Sequence, residues 1–373
     1  MSFYAQLQKY PASALHEQWD KVCTGDIDRA LSVTQLTMQD FLCLLAPSIS
    51  DNQLEILAHR AHQLTRQRFG RTIQLYAPLY LSNECHNGCK YCGFSADNHD
   101  LRRKTLSDAE ILREAEHLHQ LGFQHILLLT GEAPEVAGVD YIEHAVRLLR
   151  GKFSSLSIEV FPMDTADYQR LAKAGVDGLT IYQETYDQQL YPELHPYGGK
   201  SDFRYRLAGP DRGGAAGFRR IGIGALLGLG DYLSDAFYTG LHARYLMQKF
   251  WRSLVTVSFP RLRPATGGFA PSSVVSDRQL TQLICTLRLL VPDAGLVLST
   301  RESAELRDNL LPLGITQMSA GSCTAPGGYE GSEAEAEQFA ISDERTPAEL
   351  SATLRERGYE AVWKDWDAAF VQP

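Results

Sequence analysis

The stretch ECHNGCKYCGF, residues 84–94, decides how this chain is organised. It places Cys85, Cys89 and Cys92 in one short segment, directly after the apolar run Ile73–Leu81. Three thiolates that converge on one point are the ligands that an iron–sulfur cluster requires. Three cysteines leave one iron of a [4Fe–4S] cluster without a protein ligand, and that iron can take a small molecule that chelates through an amine and a carboxylate. The spacing therefore predicts a cluster with one open coordination position.

Two other uses of these cysteines have to be weighed. A structural zinc site requires four ligands, and the only neighbouring candidate, His86, adjoins Cys85 in the chain, which makes joint ligation awkward. A disulfide framework is disfavoured because the chain has seven cysteines, an odd number, and no signal-peptide pattern. The iron–sulfur interpretation is therefore preferred, with zinc as the alternative.

Composition bounds the class of protein. The chain has 373 residues and a net charge of −9, which argues against a nucleic-acid partner because a phosphate backbone requires a basic face. No apolar run reaches the length of a membrane span, so no membrane partner is expected. The N-terminus lacks the basic-then-apolar layout of a signal peptide. The expected location is the cytoplasm, where thiols stay reduced.

Apolar runs and amphipathic segments alternate from residue 71 onward. Turn residues separate the apolar runs, and the segment at Ser107 opens with a capping box that Glu110 completes. Such alternation predicts a parallel sheet, and about eight strands predict a (β/α)8 barrel of the TIM type. The predicted strands are Ile73–Leu81, His125–Thr130, Leu156–Phe161, Gly178–Tyr182, Ile221–Leu226, Leu254–Phe259, Gly295–Ser299 and Ile315–Ser319. The cysteine segment then follows the carboxyl end of a strand, where barrels gather their chemistry.

The predicted barrel spans residues 71–320, between two flanking regions. Residues 1–70 are predicted to form a helical lead-in, with a long amphipathic helix over Asp51–Gly70. Residues 321–373 are predicted to form a C-terminal extension with a helix that begins at the capping box of Thr346 and Glu349. Its acidic stretch around Glu333 has no assigned role.

The cysteine spacing, with an aromatic residue directly before the last cysteine, resembles the signature of the radical S-adenosylmethionine (SAM) enzymes. In that family the open iron holds the methionine end of SAM, and the reduced cluster cleaves SAM to a 5′-deoxyadenosyl radical. The resemblance implies that Cys85, Cys89 and Cys92 hold a [4Fe–4S] cluster and act in catalysis. It also implies that Tyr91 lies near the adenine or the cluster.

Polar residues at later strand ends match SAM-binding elements of the same family. Thr130-Gly131-Glu132 resembles the Gly-Gly-Glu element that holds the SAM amino group, with Thr130 in place of the first glycine. Glu184 and Arg206 match, in order and approximate spacing, the glutamate and arginine that contact SAM in related barrels. The resemblance therefore implies SAM binding by Gly131, Glu132, Glu184 and Arg206.

Six further stretches resemble the tyrosine lyases (2-iminoacetate synthases) of thiamine thiazole biosynthesis: Leu79–Asn83, Tyr182–Tyr186, Phe259–Pro264, Leu298–Glu302, Pro326–Tyr329 and Val362–Trp366. Members of that family cleave L-tyrosine at Cα–Cβ to 2-iminoacetate and p-cresol. The resemblance implies that Arg301 binds the substrate carboxylate, with Arg261 and Arg263 as rivals, and that Gln183 and Arg263 are further substrate contacts. It also implies a complex with thiazole synthase and an electron donor such as flavodoxin or ferredoxin.

Other relatives and classes remain as alternatives. The hydrogenase maturase that also cleaves tyrosine carries three further cysteines for a second cluster, whereas only Cys323 follows Cys285 here, so a second cluster is not expected. A tryptophan lyase is separated from this chain only by overall resemblance. From different classes, a zinc-stabilised binding protein would lack the brown colour of a cluster, and a SAM-dependent methyltransferase would leave the three cysteines idle.

Overall fold

The computed structural model describes residues 2–263, 268–329 and 337–364. Its centre is a barrel of eight parallel strands in sequence order, closed by pairing of the first strand with both the second and the eighth. The strands are β1 Thr72–Ser82, β2 His125–Thr130, β3 Ser155–Glu159, β4 Gly178–Glu184, β5 Arg220–Ala225, β6 Leu254–Ser258, β7 Gly295–Leu298 and β8 Gln317–Ser319. The predicted barrel and all eight predicted strands are confirmed.

Helices surround the barrel and fill the predicted lead-in. The lead-in contains α1 Phe3–Leu7, α2 Ala12–Trp19, α3 Thr24–Ser32, α4 Met38–Leu45 and α5 Asp51–Phe69. The helices that follow are α6 Asp108–Gln120, α7 Val139–Leu149, α8 Thr165–Ala174, α9 Tyr191–Leu194, α10 Phe203–Leu207, α11 Gly209–Ala216, α12 Tyr232–Lys249, α13 Asp277–Leu290, α14 Ala304–Leu310 and α15 Pro347–Glu356. None of the helices in the described part of the chain is long and apolar enough to cross a membrane.

Each strand turns alternate side chains to the inside and the outside of the barrel, as the pleat requires. In β2, Ile126 and Leu128 are fully buried, whereas Leu127 and Leu129 line the interior cavity. In β3, Ser157 and Glu159 face the interior. Both faces of these strands are covered, which explains why β2 reads as a continuous apolar run.

The flanking regions share one continuous apolar core with the barrel. Helix α5 packs against α13, and the buried Leu350 and Leu354 of α15 belong to the same core. The sequence did not predict β9, Glu360–Val362, which pairs in parallel with the start of β1. A three-residue strand is too short to show a period of two, so pattern reading could not detect it. Glu333 lies outside the described residues.

Candidate active site

The cysteine segment is an irregular loop after β1, fixed by backbone hydrogen bonds to three other parts of the chain. His86 N–H donates to the carbonyl of Glu132 (3.0 Å), Lys90 N–H to that of Leu194 (3.2 Å) and Gly93 N–H to that of Gln338 (3.2 Å). These contacts come from the end of β2, from helix α9 and from the C-terminal extension. The loop is therefore set in place by the barrel rim and not by its own secondary structure.

Gly131 shows how closely the loop approaches β2. A Cβ atom at this position would lie 2.2 Å from the carbonyl oxygen of Glu84, a contact that no other residue type tolerates. The requirement for glycine at Gly131 is therefore explained here by backbone packing against the cysteine loop.

The three motif cysteines fit the chemistry of an iron–sulfur cluster. All three are free thiols, and their sulfurs have few hydrogen-bonding neighbours: Asn87 Nδ2 lies 3.8 Å from Cys85 Sγ and Gln338 Nε2 lies 3.8 Å from Cys92 Sγ. Burial raises the pKa of Cys89, and the Lys200 ammonium opposes that shift by favouring the thiolate. Among the described residues, no three His, Cys, Asp or Glu side chains are grouped closely enough to hold a single metal ion. Three thiolates are the usual protein ligands of a cluster with one open iron, whereas a structural zinc site requires four ligands.

The residues predicted to bind SAM meet in one buried network of charges. Arg206 Nη1 donates to Glu132 Oε1 at 2.6 Å, and Arg206 Nη2 lies 3.6 Å from Glu184 Oε1. Burial alone would raise the pKa of Glu132, but Arg206 and Lys200 outweigh burial and lower it. The structure thus brings together Glu132, Glu184 and Arg206, which lie far apart in the sequence.

Two members of this network, Lys200 and Asn87, were not predicted from the sequence. Lys200 Nζ donates to Glu184 Oε1 at 2.6 Å. Burial and Arg206 would lower the pKa of Lys200, yet the nearby carboxylates raise it, so the ammonium stays charged. Asn87 Nδ2 donates to Glu132 Oε2 at 2.8 Å and links the cysteine loop to the network. Neither residue lies in a stretch with a strand or helix pattern, so only the fold reveals them.

Glu184 has the only positive φ among the described non-glycine residues, +72°. The pairing of β4 with β5 shifts register between Tyr182 and Glu184, so Gln183 has no partner in the ladder. A glutamate in this region is strained, and such strain is frequent at ligand sites. The bulge therefore fixes the position from which Glu184 reaches the cavity.

Tyr91 is held by a buried histidine. His195 Nδ1 lies 2.9 Å from the carbonyl of Tyr191 and must donate there, so His195 Nε2 accepts from the Tyr91 hydroxyl at 2.7 Å. Burial, together with Lys200, lowers the pKa of His195 to about 3, which keeps the ring neutral and able to accept. Tyr91 is thereby oriented on the cavity wall, directly before Cys92.

A cavity of about 1110 Å³, counting its open mouth, occupies the carboxyl end of the barrel. Its lining includes Cys92 and Tyr91 from the cysteine loop, Glu184 and Lys200 from the charged network, and Arg301. The site where a cluster would bind and the end of β7 therefore open into one space. This position agrees with the expectation for a barrel enzyme.

The three candidate arginines differ in how they are engaged. The charge of Arg261 is neutralised within the protein, because Arg261 forms a bidentate ion pair with Glu302 and a second ion pair with Asp277 at 2.7 Å. Arg263 lines the cavity and lies 3.5 Å from Glu302. Arg301 lines the cavity without an ion pair to any described carboxylate, and its guanidinium lies over the ring of Phe339, 3.3 Å from the centroid.

Burial lowers the pKa of Arg301. A guanidinium remains charged even so. Of the three arginines, Arg301 is thus the one whose charge remains available to an anionic ligand.

Gln183 does not face the cavity. Its side chain is buried on the other side of β4 and donates to the carbonyl of Phe203 at 3.4 Å. Alternation along the strand turns Tyr182 and Glu184 inward and Gln183 outward. The geometry therefore does not support the predicted contact between Gln183 and the substrate.

Glu159 is a cavity residue that sequence reasoning missed. It is the last residue of β3, and burial together with Glu184 raises its pKa to about 7. A polar residue at the end of a predicted strand was the available signal, but the strand was drawn through to Phe161.

The chain matches two family models. Residues 79–236 match the Radical SAM superfamily and residues 258–360 match the Biotin and Thiamin Synthesis associated domain. Together with the barrel and the cysteine loop, these matches define the chain as a radical SAM enzyme.

Similar proteins narrow the class further. The chain is 48% identical to the 2-iminoacetate synthase of Escherichia coli (strain K12), over 92% of this chain and 91% of that protein. It is 45% identical to the 2-iminoacetate synthase of Salmonella typhimurium, over 94% and 95% of the two chains. Among solved structures, HydG, a maturase of the [FeFe]-hydrogenase, superposes with a TM-score of 0.88 at 32% identity, over 95% of this chain and 80% of that chain. The chain belongs to the 2-iminoacetate synthase family.

Proposed function

We propose that this enzyme cleaves the Cα–Cβ bond of L-tyrosine to 2-iminoacetate and p-cresol, with SAM converted to 5′-deoxyadenosine and methionine. The reaction would supply the thiazole part of thiamine. Membership of the 2-iminoacetate synthase family supports this proposal. The observation that carries it is that one cavity is lined by both Cys92 and Arg301. Arg301 forms no ion pair with any described carboxylate, so its charge is available to the substrate.

The proposed roles follow from the charges of the side chains in the site. Cys85, Cys89 and Cys92 would hold a [4Fe–4S] cluster, since thiolates are its usual ligands. The network of Glu132 and Arg206 would receive the amino and carboxylate groups of SAM, because each group then meets an opposite charge. Glu184 would accept from the ribose hydroxyls, and Tyr91 would flank the adenine.

Arg301 is the proposed anchor of the tyrosine carboxylate. A guanidinium offers paired N–H donors that match a carboxylate, and the low dielectric of a buried site strengthens that interaction. Arg263 is a second cavity cation that would contact the substrate from the end of β6. Arg261 is excluded from this role by its pairs with Glu302 and Asp277.

The chain's own contribution is to position and to shield. When bound, the cluster and SAM would supply the radical chemistry that removes a hydrogen atom from the substrate amino group. The Cα–Cβ bond then breaks, because the aromatic ring stabilises the departing fragment. Gln338 and Phe339 of the C-terminal extension line the cavity and help to separate it from water.

We further propose thiazole synthase as a protein partner, and a flavodoxin or ferredoxin as electron donor. A cytoplasmic location is proposed because three free cluster-binding thiols require a reducing environment. Pull-down with thiazole synthase would test the complex. Absence of binding with the cluster-containing protein would remove that partner.

The test of the activity uses anaerobically reconstituted protein with SAM, L-tyrosine and a strong reductant, followed by chromatography. We expect p-cresol and 5′-deoxyadenosine together. 5′-Deoxyadenosine without p-cresol would retain the radical SAM chemistry but reject tyrosine, and L-tryptophan would be tried next. Neither product, from a protein shown to hold its cluster and SAM, would contradict the proposal.

A further inference from the structure

Glu159 faces the cavity, and the cations Arg301, Lys200 and Arg206 act on it only through longer-range electrostatic attraction. Among the described residues, no side chain donates a hydrogen bond to Glu159 or forms an ion pair with it, and Glu159 lines the cavity. The other two cavity carboxylates are engaged, Glu184 by Lys200 and Glu302 by Arg261. A carboxylate in a low-dielectric site is costly unless a donor reaches it, so its presence indicates a donor that comes with the ligand.

Glu159 lies deeper in the barrel than the groups proposed to bind the amino-acid head. It belongs to β3 itself and is level with Leu129 of β2, whereas the cysteine loop contacts β2 further on, at Glu132. Arg301 lies three residues beyond Leu298, the end of β7. A substrate whose carboxylate is on Arg301 and whose amine lies near the cysteine loop therefore directs its side chain down the barrel.

The space between the two groups suits an aromatic ring. Strands β3 and β7 are four places apart in the eight-stranded barrel, so Glu159 and Arg301 start from opposite sides. Apolar side chains line the same cavity, among them Leu127, Leu129 and Phe259. A ligand that reaches both groups needs an anionic end, an apolar middle and a polar far end.

We propose that Glu159 accepts a hydrogen bond from the phenolic hydroxyl of the substrate and thereby selects tyrosine over phenylalanine. This inference rests on the proposed function and deepens it. The neighbouring hydroxyls do not take this place, because Tyr76 interacts with Ser319 and Tyr182 with Ser258. A site that is built to pair a substrate hydroxyl discriminates strongly against the analogue that lacks it.

The test measures binding to the anaerobic, cluster-containing enzyme with SAM by equilibrium dialysis, in the wild type and in Glu159→Leu. The ligands are L-tyrosine, L-phenylalanine and 3-(4-hydroxyphenyl)propanoate, which keeps the phenol but lacks the amine. We expect the substitution to weaken tyrosine and the phenolic acid by roughly 10- to 150-fold, the range for a hydrogen bond to a charged group. Phenylalanine should bind the variant at least as well as the wild type.

Other patterns overturn the inference. If Glu159→Leu weakens tyrosine and phenylalanine equally but spares the phenolic acid, Glu159 binds the ammonium instead. A wild type without preference for tyrosine over phenylalanine also rejects it. Glu302→Gln is the matched control, because Glu302 is a cavity carboxylate already paired with Arg261, and it should leave the ratio of tyrosine to phenylalanine affinity unchanged.

A folding defect and a failed proposed function can both be recognised. If Glu159→Leu does not retain iron or SAM binding, the isosteric Glu159→Gln replaces it and should lower the tyrosine-to-phenylalanine ratio in the same direction; an unchanged ratio contradicts the inference. Failure of the proposed function appears separately, as a wild type that binds tyrosine selectively but releases no p-cresol.

Discussion

Two sets of charged residues at the cavity differ in how they are paired. Near the cysteine loop, Arg206 is paired with Glu132, and Lys200 is paired with Glu184. Glu159 at the end of β3 and Arg301 after β7, which start from opposite sides of the barrel, form no ion pair with any described residue. Paired charges are built into the fold and hold their own geometry, whereas unpaired charges in a cavity gain partners only when a ligand arrives. The first set is therefore structural as well as functional, and the second is functional alone.

The largest effect on activity is expected from loss of the cluster, on which both sets of charges depend for function. Cys89→Ala removes one of three thiolate ligands, so we expect complete loss of the cluster, of 5′-deoxyadenosine and of p-cresol. Iron and sulfide content and the visible absorption of anaerobic protein measure the first loss. Cys323→Ala is the matched control, because Cys323 is a free thiol outside the motif and should leave the cluster intact. Full activity in Cys89→Ala would refute the cluster assignment.

The free energy of unfolding should separate the two sets of charges directly. Arg206→Ala leaves Glu132 buried without its partner, and breaking a buried pair costs about 3–5 kcal/mol of unfolding free energy. Arg301→Ala removes a buried charge that has no ion pair among the described residues, so it should be neutral or stabilising. Denaturant unfolding of the cluster-containing proteins without SAM or tyrosine measures both. Equal losses in the two variants would show that the distinction between paired and unpaired charges is wrong.

For the affinity for L-tyrosine, Arg301→Ala should have a large effect although its effect on stability is small. Arg301→Ala should weaken L-tyrosine by about 2–5 kcal/mol, because the substrate carboxylate would then be buried without a counter-ion. SAM affinity should be unaffected, since the predicted SAM ligands lie in the other network. Arg263→Ala, at a cavity cation 3.5 Å from Glu302, is the control and should cost less. Unchanged affinity for tyrosine in Arg301→Ala would reject its role.

The sequence predicted those parts of the fold that periodicity encodes. All eight barrel strands, the helix over Asp51–Phe69 and the helix that begins after Thr346 follow from hydrophobic spacing and capping boxes. The three-residue β9 was missed, because it is too short to carry a period and forms only through pairing with β1. Strand β9 therefore depends on tertiary structure and not on a local sequence pattern.

The site divides in the same way. Resemblance to a motif indicated the cysteines, Glu132, Glu184 and Arg206, and the structure brings the last three into contact. Lys200 carries no motif, and its role depends on a distance that only the fold sets. Gln183 was predicted to contact the substrate, and the side-chain alternation at the β-bulge, which pattern analysis did not include, turns Gln183 away from the cavity.

The smallest expected effect is a difference in the pH dependence of stability between the paired Glu132 and the unpaired Glu159. The folded-state pKa of Glu132 is lowered by its partners, so its contribution to stability is present above pH 4.5 and is lost only as the pH falls below it. That of Glu159 is raised to about 7 by burial, so its contribution is present below pH 4.5 and is lost as the pH rises through 7.

Between pH 5.5 and 8, Glu159→Gln should therefore gain thermal stability relative to the wild type, by a few degrees, whereas Glu132→Gln should be destabilised by a constant amount. Melting curves of cluster-containing protein without SAM or tyrosine measure both. The two substitutions serve as controls for each other because each replaces a glutamate of the site with its isosteric amide. Parallel pH profiles for the two variants would mean that Glu159 already has a partner in the free enzyme. The hydrogen bond from the substrate would then have to displace that partner, and the selectivity for tyrosine would be correspondingly weaker.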